Sequence, residues 1–285
     1  MWGAVQAWWL RLAWWLRLVA RGGAGEGADV RPAGTAARVS VYSDWRGAEL
    51  RFKAGTAQSR MSHWAPERLV VDYTRSMLGA LLLQPAPAHI GMVGLGGGSQ
   101  LKFLHRHLPG ARLEVFENDP EVIALRRRFR IPDDDARLTV HLADAAKALP
   151  AWAGRFDLLL VDGYDVDGIP VALSTQKFYS DCRASLRAGG VLAVNLYDTA
   201  HAEHLHRLRI AFGAVHVRVF EEARQSNRVA FAWVPPLRAW VGEPALAAAG
   251  RRELRDVFER LRPQILTLQG ASGPSVAPSG RGPRA

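Results

Sequence analysis

The stretch from His89 to Leu196 switches repeatedly between two hydrophobic periods, and this alternation limits the fold more than any other feature. Short apolar runs at 89–94 (HIGMVG), 112–117 (RLEVFE), 137–142 (RLTVHL), 156–161 (FDLLLV) and 190–196 (GVLAVNL) read as strands. Between them, 99–108, 120–130, 144–152 and 174–187 carry helical spacing. Strands that alternate with helices are joined by crossovers, which lay the strands parallel in one sheet and cover both faces. The end breaks this rhythm. After a helix expected at 200–212, the runs 214–220 (AVHVRVF) and 228–234 (RVAFAWV) face each other across a polar turn, as an antiparallel hairpin would. Residues 246–268 read as helical.

Upstream, 39–43 (VSVYS) and 48–52 (AELRF) flank Asp44-Trp45-Arg46-Gly47, the pattern of a β-hairpin, with a third short strand near 56–61. Residues 66–83 have helical spacing, with Pro66 suited to a first turn. The chain thus divides into a leader and Gly/Ala linker (1–37), a small β domain (38–65), an α/β domain (66–268) and a tail (269–285) whose composition predicts disorder.

The leader repeats AWWLRL at 7–12 and 13–18. Arg11 and Arg17 make it costly as a membrane span, and their place inside the apolar run does not fit a signal peptide. Trp and Arg together suit contact of residues 2–20 with a membrane surface. A helical wheel, however, sets Leu10, Trp14 and Leu18 among the polar positions, so an unstructured leader or a misassigned start stays open beside it.

The net charge is +10, carried almost wholly by Arg, with Lys only at 53, 102, 147 and 177. The basic residues are scattered and not interleaved with aromatics, so no nucleic-acid partner is expected. Cys182 is the single cysteine, which excludes an intrachain disulfide and a Cys-based zinc site and suits a cytoplasmic protein. It falls within an expected helix, and burial is the expectation for it.

A doubly wound sheet binds ligands outside the carboxyl ends of its strands. Gly94-Leu95-Gly96-Gly97-Gly98 follows the first of them, and Gly94, Gly96 and Gly98 fit G-x-G-x-G. The dinucleotide pattern G-x-G-x-x-G/A fails at Ser99, and the Gly-Lys-Ser/Thr of a phosphate loop is missing. Glu117 ends the second strand, where a carboxylate can accept hydrogen bonds from both ribose hydroxyls; Asp119-Pro120 supplies the helix-start signal that would otherwise explain it. Asp144 follows the third strand, placed for an adenine amino group or a helix N-cap. Asp162, Asp165 and Asp167 follow the fourth, in VDGYDVDG, and suggest a site for a cation. Their spacing is not that of a calcium loop, and no metal is expected.

These residues resemble the spermidine/spermine synthase family of polyamine aminopropyltransferases, over about Val39 to Val234. The resemblance rests on GLGGGSQ, on Glu117-Asn118-Asp119-Pro120, on Asp144, on Asp162-Gly163-Tyr164-Asp165 followed by Gly168 and Phe178-Tyr179, and on Gly-Gly-Val-Leu at 189–192. It implies a Rossmann-like methyltransferase fold, a mostly parallel doubly wound sheet ending in an antiparallel hairpin, with a small N-terminal β-hairpin domain. It implies transfer of an aminopropyl group from decarboxylated S-adenosylmethionine to an amine such as putrescine, releasing methylthioadenosine, with no tightly bound cofactor. Gly94, Gly96, Gly98, Glu117 and Asp144 would bind the nucleoside, together with Gln58. Asp162 would be the base, Asp165 would hold an ammonium and Tyr73 would orient the amine. A homodimer is implied as well.

The chain departs from the family at Ser99, where the glycine loop usually continues with Asp, and at Arg75, where the helix usually has Glu. The family's late Pro-Thr-Tyr-Pro segment is missing, and 223–228 reads ARQSNR. Two further readings stay open: an S-adenosylmethionine-dependent methyltransferase on the same fold, and a nucleoside-binding protein without catalysis. The strand-four loop lacks the Asn/Asp-Pro-Pro-aromatic motif of amino methyltransferases.

Overall fold

The computed structural model of the chain describes residues 39–52, 57–165, 167–197, 201–221, 228–237 and 243–270. The Trp-rich leader, the linker, the tail beyond 270 and the turn at 222–227 lie outside the described residues, as does what was expected of them.

The first three strands, β1 (Val39–Ser43), β2 (Gly47–Phe52) and β3 (Ala57–Ser62), form an antiparallel sheet in the order β1-β2-β3. The Asp44 side chain closes the first turn by accepting from the Arg46 and Gly47 N–H groups at 2.8 and 2.9 Å. One face of this sheet carries Val39, Ala48, Leu50 and Met61 into the same apolar core that fills one side of the main sheet.

The main sheet comprises β4 (His89–Val93), β5 (Arg112–Glu117), β6 (Leu138–Leu142), β7 (Phe156–Val161), β8 (Leu186–Asn195), β9 (Val217–Glu221) and β10 (Arg228–Trp233), in the order β6-β5-β4-β7-β8-β10-β9. β4 to β8 pair in parallel; β10 runs antiparallel to both β8 and β9. Chain order reverses direction at β4, whose neighbours are β5 and β7, and this switch point opens a crevice at the carboxyl edge. Every residue of β7 is buried, which explains why FDLLLV lacks the alternation of a one-faced strand.

The helices are α1 (Asp72–Met77), α2 (Ser99–His107), α3 (Pro120–Ala124), α4 (Ala145–Ala148), α5 (Gln176–Ser185), α6 (His201–Phe212), α7 (Ala248–Glu253) and α8 (Arg255–Gly270). Three are shorter than their spacing predicts. The helix expected over 66–83 begins only at Asp72 and tightens into a 3-10 turn at Leu78–Leu82. The Leu69 N–H is taken by the Glu253 carboxylate at 2.6 Å, and Val71 is extended, so the chain before Asp72 is spent on a tertiary contact. The helix expected over 120–130 stops at Ala124. Beyond it Phe129 and Ile131 turn inward beneath the glycine loop, and the buried Lys102 ammonium donates to the Phe129 carbonyl at 2.7 Å. The helix expected over 144–152 becomes α4 and a 3-10 turn at Leu149–Trp152 with Pro150 as its second residue. The run 246–268 divides at Leu254 into α7 and α8.

Cys182 is fully buried on α5, as its helical setting predicts, and burial pushes its thiol pKa well up, which disfavours the nucleophilic thiolate. Among the described residues, no helix is long and apolar enough to cross a membrane.

Candidate active site

A cavity of about 700 Å³ opens at the carboxyl edge of β4, β5 and β7, with β3 and α1 along its other wall. The acids Glu117, Asp119, Asp144, Asp162 and Asp165 line it, and no Lys, Arg or His is among its described lining residues. In a chain of net charge +10, this is a local reversal of sign. The cavity is built for a cation or for a hydroxyl-rich ligand.

The glycine loop sets the floor. Gly94 has φ +91°, and a Cβ there would lie 2.4 Å from the Asp162 carbonyl oxygen. Only glycine lets the ends of β4 and β7 approach this closely. Gly94 and Gly96 line the cavity. Gly98 does not; it sits behind the loop at the N-cap of α2, with φ +64° and the Ile131 side chain where a Cβ would go. Its part is to form the turn.

Glu117 is 7% exposed at the end of β5. Its Oε2 accepts from the Leu95 N–H at 2.8 Å and its Oε1 from the Asp119 N–H at 2.9 Å. The helix cap is supplied by Asp119, which accepts from the Glu121 N–H at 2.8 Å, so Glu117 is free of that duty. A carboxylate anchored by two backbone donors still has lone pairs for a diol. Asp144 does cap α4, accepting from the Ala146 N–H at 3.0 Å, and Lys147 approaches it at 3.4 Å; it also lines the cavity.

At the other end lies Asp162, one residue beyond β7. It accepts from Asn195 Nδ2 at 2.9 Å, and the Tyr73 hydroxyl stands beside it. Burial raises its pKa above the ordinary carboxylate range, and these two neighbours pull in the opposite direction without cancelling the effect. Burial, with Asp162 beside it, also keeps the Tyr73 phenol protonated.

The three loop acids do not act as a cluster. Asp165 reaches the cavity mouth but is exposed, and its Oδ1 accepts from the Asp167 N–H at 2.8 Å within a turn closed by the Asp165 N–H on the Gly168 carbonyl at 2.9 Å. Asp167 is exposed and outside the lining. Among the described residues, no group of three His, Cys, Asp or Glu side chains is placed to hold a metal ion.

Gln58 lies on β3, and its side chain is outside the described residues. Its neighbour Ser59 lines the cavity, with its Oγ 3.4 Å from Ser99 Oγ. Arg75 is ion-paired with Asp72 and outside the lining, so it does not present the repulsive charge to the cavity that its place in the sequence suggests. Sequence reasoning missed Ser59, Tyr164 and Asn195. Tyr164 ties the loop to the end of β8, donating to the Asn195 carbonyl at 3.0 Å and accepting from the Tyr197 N–H at 2.7 Å. A polar Asn ending the apolar run GVLAV was the available signal for the last of the three.

The doubly wound sheet closed by an antiparallel hairpin, with an acid-lined cavity at its switch point, belongs to the Rossmann-like methyltransferase fold class. Residues 72–215 match the spermine/spermidine synthase domain. The polyamine aminopropyltransferase of Chromobacterium violaceum is 34% identical over 219 residues, which are 74% of this chain and 83% of that protein. The chain belongs to the spermine/spermidine synthase family. Among solved structures, a probable spermidine synthase from Corynebacterium glutamicum aligns at TM-score 0.61 and 18% identity, covering 81% of this chain and 87% of that one. Human methyltransferase-like protein 13 in complex with SAH aligns at TM-score 0.52 and 23% identity, covering 73% and 96%. These two likenesses speak for the fold alone.

Proposed function

We propose that the protein is a polyamine aminopropyltransferase that moves an aminopropyl group from decarboxylated S-adenosylmethionine to a primary amine. The observation that carries this reading is the division of the cavity into two acidic ends. Glu117 and Asp144 offer acceptors to a nucleoside, and Asp162 stands apart with a hydroxyl and an amide on it.

The chemistry needs such a division. An alkylammonium has a pKa of about 10, like a lysine, so it arrives protonated and without a free lone pair. Asp162 holds the cation and accepts its proton. The nitrogen then attacks the carbon beside the sulfonium, a C–N bond forms, and the C–S bond breaks. The sulfur takes that electron pair and leaves as a neutral thioether, so no general acid is required. Tyr73 orients the amine through Asp162, and Asp165 at the mouth attracts a further ammonium. Holding both partners in line supplies about 7–11 kcal/mol at most.

The reading is tested by incubating the protein with decarboxylated S-adenosylmethionine and a pool of diamines and polyamines. A new polyamine heavier by one aminopropyl unit is the expected product. A pool left unchanged while the nucleoside binds would remove the reading.

A further inference from the structure

Asn195 ends β8, and the pairing of Val161 with Val194 sets it directly beside Asp162. Its backbone is held from both sides, by Val229 of β10 and by the Tyr164 hydroxyl. Its side chain is 4% exposed. Nδ2 donates to Asp162 Oδ1 at 2.9 Å, whereas the buried Oδ1 has no hydrogen-bond partner. An orphaned buried carbonyl is costly, so a residue kept for packing alone would be better as a leucine of similar shape.

We propose that Asn195 is a positioning residue for Asp162, holding the carboxylate ionised and aimed into the cavity, with its free carbonyl reserved for the protonated form of the same group. This rests on the reading of Asp162 as the base. An ionised carboxylate only accepts, so the amide must turn its NH₂ toward it. Once Asp162 has taken the proton from the amine it becomes a donor. A half-turn of the amide then brings Oδ1 onto that proton, and the NH₂ takes the unpartnered place. The other polar groups facing Asp162 are the Tyr73 hydroxyl from α1 and the Tyr164 hydroxyl of its own loop. The Tyr164 hydroxyl is committed to the Asn195 carbonyl and the Tyr197 N–H, which leaves the amide and the Tyr73 hydroxyl as the groups able to change roles toward Asp162.

Asn195→Leu removes both polar atoms and keeps the volume. The lost donor to the carboxylate and the lost orphaned carbonyl act in opposite directions on stability, so the melting temperature is expected to change little. The value of kcat/KM at neutral pH should fall about 10- to 100-fold, the loss of a hydrogen bond to a charged group. Its acid limb should move to higher pH, while affinity for methylthioadenosine stays unchanged. Asn195→Ala should give the same pH shift at lower stability. Ionisation of Asp162 is read independently by carbon-13 NMR of labelled aspartate carboxyls, assigned with Asp162→Asn. A titration midpoint that stays put in Asn195→Leu overturns the proposal whether or not the protein turns over. A midpoint that moves, in a protein that forms no aminopropyl product, upholds the coupling and removes only the reading of the reaction.

Discussion

The Tyr73 hydroxyl stands beside the Asp162 carboxyl in the cavity lining, bringing α1 to the end of β7. Two half-buried acids of very different strength thus lie side by side, and the weaker one keeps its proton. Burial raises both pKa values, so Asp162 meets the amine as a stronger base than an exposed aspartate.

Asp162→Asn should lower turnover by about 10²–10⁴-fold, the range for loss of a general base, with methylthioadenosine affinity retained. A raised folded pKa means that Asp162 favours the fold below its unfolded pKa and that this contribution is lost as pH rises through the folded value. The variant should therefore be no less stable than the unaltered protein at neutral pH. Steady-state kinetics with a thermal melt checks both, and unchanged turnover would take Asp162 out of the mechanism.

The acid limb of kcat/KM should lie above the range of an ordinary carboxylate. Tyr73→Phe removes a donor that lowers the Asp162 pKa, so the limb should move further up and the rate at neutral pH should drop about 10-fold. A pH–rate profile of the two proteins decides this. A limb unmoved by the loss of the hydroxyl would show that another group sets it.

Glu117→Ala strands the Leu95 and Asp119 N–H groups and removes the acceptors offered to a ribose. Methylthioadenosine affinity is expected to fall about 10- to 100-fold, measured by titration calorimetry. Unaltered affinity would place the nucleoside elsewhere.

Gly94→Ala drives a Cβ against the Asp162 carbonyl oxygen and needs a left-handed backbone. It should abolish nucleoside binding or folding. Gly110→Ala, where a Cβ meets nothing within 4 Å, is the matched control and should behave as the unaltered protein. Equal behaviour of the two would contradict the close approach of β4 and β7.

Burial lowers the Lys102 pKa to about 8 from 10.5. Between those values the unfolded chain holds the proton and the folded chain does not, so stability rises with pH. Relative to Lys102→Met, the unaltered protein should gain up to about 3 kcal/mol across that window. Denaturant unfolding of the pair at several pH values measures the gain, and a difference that is flat with pH would mean an accessible ammonium.

The main sheet was legible because parallel central strands are continuous apolar runs, and 112–117 and 156–161 have the bounds that the residues suggest. Helix lengths were less so. Periodicity at 120–130 cannot distinguish a helix from a turn that buries Phe129 and Ile131, because both bring apolar residues inward. The positions of Glu117, Asp144 and Asp162 at the cavity were legible from their places after strands. Asp167 was over-read, since Asp and Gly in a tight turn look the same as a cation site until the side chains are seen. Asn195 and Tyr164 act through contacts 33 and 31 residues away, which no local pattern reports.

The identity of the released nucleoside tests the central claim most directly. Parallel reactions with decarboxylated S-adenosylmethionine and with S-adenosylmethionine, each with and without the amine pool, are read by mass spectrometry. Amine-dependent methylthioadenosine from the decarboxylated donor is the predicted result. S-adenosylhomocysteine from the other donor, with no methylthioadenosine from the first, would contradict it and make the protein a methyltransferase.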